Sequence, residues 1–236
     1  MNTDREKLIE AFRGLRVADV CDAMDAVGLL DRGLVAGTIR PLFRDTESFV
    51  HRIAGPALTV RYVPTNRQVP NIPPEHFDEY VSDWYRTVTA GPWEERIRKG
   101  DILVFDASDT DVGVIGSNNC LGWVNRGAVG VVTNGGARDT DELIKQRCPV
   151  YARYVSRSFM PGRVEFDTWD VPVNCGGVLV RPGDMIVADG DGVIVVPAEK
   201  GLAVAGIARG ILAGDKRGRR RLYEAGGRSP DSTVTD

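Results

Sequence analysis

Several residue types and patterns are scarce in this 236-residue sequence, and each shortage excludes a class of protein. The four cysteines form no CxxC pair, which argues against a structural zinc site or a disulfide framework and favours reduced thiols. They are Cys21, Cys120, Cys148 and Cys175. The two histidines, His51 and His76, are isolated and have no metal-ligand spacing.

Long apolar runs are also missing. No stretch approaches the roughly eighteen apolar residues of a membrane-spanning helix. The N-terminal sequence MNTDREKLIEAFRG is charged and lacks the apolar core of a secretory signal. The formal net charge of −3 provides no positive field for nucleic acid or an acidic membrane surface. These absences predict a cytoplasmic protein with neither nucleic acid nor membrane as a partner.

The widespread nucleotide-binding and hydrolytic motifs are absent as well. The sequence has no GxGxxG after a predicted strand, no GxxxxGK[ST], no GxSxG and no HExxH. These absences argue against a Rossmann dehydrogenase, a P-loop ATPase, a serine hydrolase and a zinc peptidase of the HExxH type. Hydrophobic residues make up 42% of the chain and charged residues 27%, as in ordinary soluble domains. Without a linker that divides it, the chain is predicted to be one domain, residues 1–236.

Residues 101–139 carry the strongest structural pattern. Ile102–Phe105 and Ala128–Thr133 are apolar, β-branched runs that predict two buried strands. A helical segment with apolar side chains lies between them and ends at Gly127. Strand, helix and strand over this length predict a βαβ unit with parallel strands and a right-handed crossover. Ligands of such sheets bind beyond the carboxyl ends of the strands, so a functional site is expected there.

The loops at these strand ends contain the candidate site residues. Gly116, Ser117, Asn118 and Asn119 open the predicted helix, whose free amides favour a bound carboxylate. The second strand is expected to end in a loop, residues 134–139, where glycines precede Arg138 and Asp139. Arg138 suits a two-pronged contact with a carboxylate, and Asp139 suits Mg²⁺ or Mn²⁺ that keeps most of its waters. The alternative is a surface ion pair or helix cap worth at most about 1 kcal/mol.

Three other segments have a structural and a functional interpretation. Asp19, Asp22 and Asp25 recur on a predicted helix, 17–27, where a solvated acidic face is favoured over a metal site. A predicted helix over 75–89 has an apolar group that is expected to pack against the body or a neighbouring subunit rather than line a substrate pocket. That group comprises Phe77, Tyr80, Val81 and Trp84. A last helix is predicted over 198–212.

The end of the chain is basic and then polar. Five cations lie between residues 216 and 221, and they are interpreted as a solvated helix end or an intersubunit contact rather than as an RNA or phosphate site. The tail, residues 214–236, is predicted to be flexible because it is polar and charged.

The sequence RGAVGVVTNGGARD, residues 126–139, resembles the signature of the RraA-like family. That family includes 4-hydroxy-4-methyl-2-oxoglutarate aldolase, which is also a 4-carboxy-4-hydroxy-2-oxoadipate aldolase. Further similar stretches are DVCDAM (19–24), AGPALTV (54–60), GDILV (100–104), RPGD (181–184) and DGDGVIVVP (189–197). The resemblance covers about residues 15–212, and residues 64–99 look like an enlarged insertion.

This resemblance implies a swivelling α/β/β/α sandwich that assembles as a homotrimer or hexamer with sites between subunits. It also implies Mg²⁺ or Mn²⁺ held by Asp139, and a pyruvate-like group bound by Arg138 and the backbone of residues 116–119. The implied activity is that of a class II pyruvate aldolase acting on a 4-hydroxy-2-oxo acid or a related sugar-derived acid. Decarboxylation of oxaloacetate would pass through the same enolate.

One position departs from the aldolases of the family, which carry an acidic residue, then twenty residues, then the Arg-Asp pair. Here that position is Ser117, and a hydroxyl does not replace a carboxylate as a base without its own activator. Either the base is another residue, with Asp109 and Asp111 the nearest candidates, or the substrate and the reaction have changed. Asp215 is a candidate site residue from a neighbouring subunit. The alternative function is a non-catalytic, protein-binding regulator of the ribonuclease E inhibitor type. Methyl transfer has little support because no methyl-donor glycine motif is present.

Overall fold

The computed structural model describes residues 3–235 as helices packed around one nine-stranded mixed sheet, with a separate two-stranded hairpin. The helices are α1 Thr3–Phe12, α2 Val17–Ala26, α3 Phe77–Trp84, α4 Ser117–Arg126, α5 Thr140–Lys145 and α6 Gly201–Ala225. The strands are β1 Arg40–Pro41, β2 Ile53–Pro64, β3 Ile102–Asp106, β4 Gly113–Ile115, β5 Gly130–Ala137, β6 Val150–Val155, β7 Val164–Trp169, β8 Val173–Cys175, β9 Val178–Val180, β10 Met185–Asp189 and β11 Gly192–Val196. No helix within these residues is long and apolar enough to cross a membrane.

The large sheet has the strand order β1-β6-β5-β3-β2-β10-β11, with β4 beside β5 and β7 beside β2. Strands β2, β3, β5 and β6 run parallel, whereas β10, β11, β1 and β7 pair antiparallel with their neighbours. The two ends of this order, β1 and β11, lie against each other, so the sheet is strongly curved. The predicted βαβ unit is confirmed: β3 and β5 are parallel neighbours, with Val104 opposite Val132 and α4 between them in the chain.

The core explains why the apolar runs form strands. All four residues from Ile102 to Phe105 are at most 1% exposed, as expected for parallel strands covered on both faces. On one face, the rings of Trp93, Phe105 and Trp123 lie 5.2–5.4 Å apart, centre to centre. A second apolar cluster joins the opposite face to the hairpin β8–β9. A third fixes α1, α2 and α6 on β10 and β11.

The structure corrects the expected loop over residues 134–139. Strand β5 continues through Ala137, and the three-residue strand β4 pairs with its last part. Gly135 and Gly136 serve close packing here rather than a turn. A Cβ at Gly135 would lie 2.7 Å from Cβ of Ala107, and one at Gly136 would lie 2.6 Å from Cβ of Ser156. Only Arg138 and Asp139 therefore separate β5 from α5.

One further expectation, the end of the last helix, is wrong. Helix α6 does not end at Leu212 but continues to Ala225, because its basic residues find acceptors on the chain that returns along it. Arg219 and Arg220 donate hydrogen bonds to the carbonyls of Thr233 and Val234, and the Val234 side chain is buried. Residues 226–235 of the tail thus lie against the helix.

The predicted acidic face of α2 is exposed only in part. Asp22 and Asp25 are exposed, but Asp19 is 1% exposed. Its carboxylate accepts hydrogen bonds from the backbone and the guanidinium of Arg16, at 3.1 Å and 2.5 Å. Asp19 is therefore an internal ion-pair partner at the helix start.

Candidate functional site

A pocket of about 350 Å³ lies where the carboxyl ends of β4 and β5 meet the start of α4. It is lined by Val81, Tyr85, Gly113, Gly116, Asn118, Asn119, Arg138, Asp139, Phe159 and Met160. The structure thus brings together five of the six site residues predicted from the sequence. The sixth, Ser117, is buried beneath the pocket and contacts Asp139.

Asp139 occupies the central position. Its backbone has φ +54°, a left-handed conformation that aspartate tolerates better than most residues. This conformation directs the side chain back to the start of α4. There Oδ2 accepts hydrogen bonds from the backbone amide of Ser117, at 3.1 Å, and from Ser117 Oγ, at 3.3 Å. The carboxylate therefore caps α4 from outside the helix, where the helix dipole favours a negative charge.

Two glycines allow these groups to approach each other. A Cβ at Gly116 would lie 2.9 Å from Asp139 Oδ2. A Cβ at Gly113 would lie 2.4 Å from Cγ of Arg138 and 2.6 Å from the carbonyl oxygen of Ser158. Both glycines have φ outside the left-handed region, so the space they leave, rather than backbone freedom, is what the site requires.

Arg138 extends from the end of β5, where its amide donates to the carbonyl of Ile115 at 2.9 Å. Its Nε lies 3.6 Å from Asp139 Oδ1, and its guanidinium carbon lies 5.9 Å from the centre of the Phe159 ring. Both charged side chains are more than a third exposed, so this ion pair contributes little to stability. The N–H groups of the guanidinium can therefore donate to a ligand.

The far wall of the pocket comes from a segment that the sequence did not connect with the site. Val81 on α3 and Tyr85 in the following π-helix, Tyr85–Thr89, face Phe159 and Met160. Burial raises the pKa of Tyr85; the Arg138 guanidinium and the Met160 amide act in the opposite direction, and the Asp139 carboxylate adds to the increase. The phenol is therefore a neutral hydrogen-bond donor at physiological pH.

Only some of the four apolar residues between 77 and 84 have the predicted packing role. Trp84 is buried and donates from Nε1 to the carbonyl of Val164 at 3.2 Å, and Phe77 lies 6.1 Å from the Phe159 ring. Val81, however, lines the pocket. The only signal for Tyr85 was its position four residues after Val81, which places both side chains on one helix face.

The candidate bases lie elsewhere. Asp109 forms an ion pair with Arg153, and the carbonyl of Asp111 accepts from two serine hydroxyls. Asp215 pairs with Arg16 at 2.6 Å. Among residues 3–235, Asp139 is the only carboxylate that lines this pocket.

The donor atoms that line the pocket determine which metal ion it could hold. The described chain has no group of three or more His, Cys, Asp or Glu side chains arranged to hold an ion. The pocket instead offers the partly exposed carboxylate of Asp139 and the amide side chains of Asn118 and Asn119. These are hard oxygen donors, and one carboxylate with few neighbours fits a divalent cation that keeps most of its waters. Asp139 is thus the residue that would hold such a cation.

Comparison with known proteins shows to which family this chain is similar. The model of the RraA-like family, described as Aldolase/RraA, matches residues 17–195. A Burkholderia mallei protein named "Putative 4-hydroxy-4-methyl-2-oxoglutarate aldolase" is 33% identical over 183 residues, which are 75% of this chain and 92% of that protein. Protein DlpA of Legionella pneumophila is 24% identical over 201 residues, 82% of this chain. The chain spans only 28% of the length of DlpA.

The fold agrees with this assignment. The crystal structure of Streptomyces coelicolor RraAS2, described as an unusual member of the RNase ES inhibitor RraA protein family, superposes with a TM-score of 0.71. The two are 24% identical, and the match covers 90% of this chain and 96% of the other. The predicted α/β fold of the RraA-like type is therefore confirmed. On the family match and the relatives together, this chain belongs to the RraA-like family, Aldolase/RraA.

Proposed function

We propose that this protein is a divalent-metal-dependent lyase of the class II pyruvate aldolase type. Its substrate would be a 4-hydroxy-2-oxo acid or a related sugar-derived acid. The observation that carries the proposal is the meeting of Arg138 and Asp139 with the start of α4 in one pocket. The aldolase names of relatives support the same reaction class.

Substrate binding follows from the groups that are free to accept it. Arg138 grips the substrate carboxylate with two parallel N–H donors. The amide of Ser117 is already bound to Asp139, so the anion site of the helix start consists of the amides of Asn118 and Asn119. These first-turn amides have no carbonyl partner within the helix. The substrate carboxylate therefore lies between a guanidinium and a helix N-terminus.

The reaction is a retro-aldol cleavage. The 4-hydroxyl group loses its proton, the bond between C3 and C4 breaks, and C3 gains a proton, which gives pyruvate and a carbonyl product. Mg²⁺ or Mn²⁺ would be held by Asp139 and would supply Lewis-acid chemistry for the 2-oxo group. The amide of Ser117 holds Oδ2 of Asp139 and so fixes the position of this carboxylate.

Proton removal is where this chain differs from the aldolases that it resembles. Ser117 Oγ is buried and donates to Asp139 Oδ2, the carboxylate assigned to the metal, and residues 3–235 give it no separate base. Tyr85 contributes a hydroxyl that can hydrogen-bond the substrate hydroxyl. Oxaloacetate has no hydroxyl proton to remove before its carbon–carbon bond breaks. We therefore propose that oxaloacetate decarboxylation is retained more readily than retro-aldol cleavage.

The test is pyruvate release from a panel of 4-hydroxy-2-oxo acids and oxaloacetate, with Mg²⁺, with Mn²⁺ and with a chelator. We expect release that requires the metal and that falls at least about tenfold when Arg138 is replaced by alanine, because a charge-assisted contact is lost. No turnover across the panel, together with metal-independent binding of pyruvate or oxalate, overturns the proposal. Light scattering on the same preparation tests the proposed homotrimer or hexamer.

A second candidate is a protein-binding regulator of the ribonuclease E inhibitor type. Ser117 favours it, because the position that is acidic in the aldolases holds no carboxylate here. A regulator does not use a metal ligand, so an Asp139→Ala protein should inhibit ribonuclease E as well as the wild type does. Failure of the wild type to inhibit that nuclease excludes this candidate.

A further inference from the structure

The pocket has two chemically different sides. One side contains Arg138, Asp139 and the polar start of α4. The opposite side, here called the distal wall, consists of Val81, Tyr85, Phe159 and Met160. Three of these four side chains are apolar, and the fourth is a neutral phenol. The distal wall is held in place by Trp84, which is 6% exposed and hydrogen-bonded to the carbonyl of Val164.

The lining of the pocket carries positive charge on the first side alone. Among the described residues that line the pocket, Arg138 is the only cation. Arg163 packs on the Phe159 ring, 5.4 Å from its centre, but its guanidinium donates to the carbonyls of Phe159 and Pro161, and it is not part of the pocket lining. When Arg138 holds the first carboxylate of a ligand, a second carboxylate at the far end meets no cation of the pocket lining.

We propose that the 64–99 segment determines which acids this site accepts. Through Val81 and Tyr85, the distal wall selects 2-oxo monocarboxylic acids with an apolar or hydroxyl-bearing far end over 2-oxo dicarboxylic acids of five or more carbons. Oxaloacetate, whose second carboxylate is separated from the 2-oxo group by a single methylene, is outside this class. The orientation of the ligand, with its 2-oxo carboxylate on Arg138, rests on the proposed function. The inferred substrate class, 2-oxo monocarboxylic acids, is narrower than the class that the proposed lyase function requires. It also differs from the dicarboxylic acid in the names of the aldolase relatives.

The physical reason is the unequal effect of burial on the two kinds of ligand. An isobutyl end gains from leaving water for the side chains of Val81, Phe159 and Met160. A carboxylate in the same position loses hydration and finds one phenol donor and no cation. The guanidinium carbon of Arg138 lies 5.9 Å from the centre of the Phe159 ring, so the far end of a five-carbon acid held by Arg138 reaches the distal wall.

The experiment compares the binding of three acids by calorimetry in the presence of Mn²⁺. Pyruvate measures the binding of the 2-oxo carboxylate group that all three acids share. The other two, 4-methyl-2-oxopentanoate and 2-oxoglutarate, share a five-carbon main chain and differ at the far end. Neither longer acid has a 4-hydroxyl group, so binding is measured without cleavage. We expect the wild type to bind 4-methyl-2-oxopentanoate at least about tenfold more tightly than 2-oxoglutarate.

Two variants test the cause. Val81→Arg introduces a cation into the distal wall and should tighten 2-oxoglutarate binding by about tenfold or more. Ser82→Arg adds the same charge to the next, exposed position of α3, outside the pocket, and should keep the wild-type ratio because solvent screens it. Circular dichroism checks that both variants fold, and the wild-type ratio decides the question if either does not.

The outcomes separate the two proposals. Arg138-dependent binding of pyruvate without discrimination between the longer acids, or with a preference for 2-oxoglutarate, overturns the distal-wall inference and leaves the lyase proposal standing. An unchanged ratio in a folded Val81→Arg protein also overturns it. If none of the three acids binds, the lyase proposal fails, and the inference fails with it.

Discussion

Replacing Gly116 by alanine should disable the site while the fold survives. The backbone of Gly116 is extended, at φ −129° and ψ 167°, so alanine fits it without strain. Its methyl group, however, would lie 2.9 Å from Asp139 Oδ2. The carboxylate must then move by a few tenths of an ångström or rotate away from the Ser117 amide, which it contacts at 3.1 Å.

The expected loss of stability is modest. Alanine is a poorer N-cap residue than glycine, and the capping contact of Asp139 weakens; each change costs about 0.5–1 kcal/mol, so the free energy of unfolding falls by about 1–2 kcal/mol. The loss of function is larger. A misplaced catalytic group can reduce the rate up to about a hundredfold, because the barrier depends steeply on geometry. We expect kcat/KM to fall by about ten- to a hundredfold.

Gly122→Ala is the matched control. Gly122 lies within the same helix, and a Cβ there meets nothing within 4 Å. Alanine inside a helix is favoured over glycine by up to about 1 kcal/mol, so this variant should be slightly more stable and fully active. Urea denaturation gives the stabilities, and metal-dependent pyruvate release gives the rates. Wild-type kcat/KM in folded Gly116→Ala, or an equal loss in both variants, refutes the argument that Asp139 must be held in this position.

Three other substitutions test separate parts of the structure. Asp139→Asn should fold nearly as well as the wild type but lose metal-dependent turnover, whereas Asp139→Ala should lose about 1–2 kcal/mol more in urea titrations, because alanine resists the left-handed backbone. The backbone amide of Val50 makes the largest of several contributions that lower the pKa of Asp45. The ionised carboxylate therefore stabilises the fold above the ordinary carboxyl pKa, and this stabilisation is lost as pH falls. Melting temperatures of wild type and Asp45→Asn should therefore differ at pH 7 and converge in acid; a constant difference contradicts this. Phe105→Ala should lower the free energy of unfolding by about 3–5 kcal/mol, since Phe105 is 1% exposed, and a loss below 1 kcal/mol in urea would contradict its place in the core.

Sequence alone predicted the elements whose pattern is local. The apolar runs at β3 and β5 and the helix between them follow from composition and periodicity, and the parallel pairing follows from the crossover. The same local signals misled at Gly135 and Gly136, because glycine marks both turns and close packing. Only the positions of Ala107 and Ser156, far away in sequence, decide between the two. Asp19 is a similar case, since its burial depends on the Arg16 guanidinium, which also contacts Asp215 at the other end of the chain.

The site likewise has one part that the sequence predicts and one part that it does not. Arg138, Asp139 and Gly116 were predictable as neighbours because the carboxyl ends of parallel strands meet at one edge of a sheet. The distal wall was not, because its members come from the 64–99 segment and from the chain between β6 and β7. Periodicity shows that Val81 and Tyr85 share a helix face, but it does not show what that face covers.

The presence of Ser117, where the aldolases carry an acid, changes how Asp139 is held in place. A carboxylate at position 117 would stand close to Asp139 Oδ2, and two carboxylates at such a distance require a proton or a cation between them. The hydroxyl and amide of Ser117 instead donate to that oxygen, at 3.3 Å and 3.1 Å. Asp139 is therefore held in place by the protein alone. Because one of its oxygens is already engaged, Oδ1, 3.6 Å from Arg138 Nε, is the atom that would hold the proposed metal. The serine thus favours a preformed pocket in which the proposed cation would meet a single carboxylate oxygen.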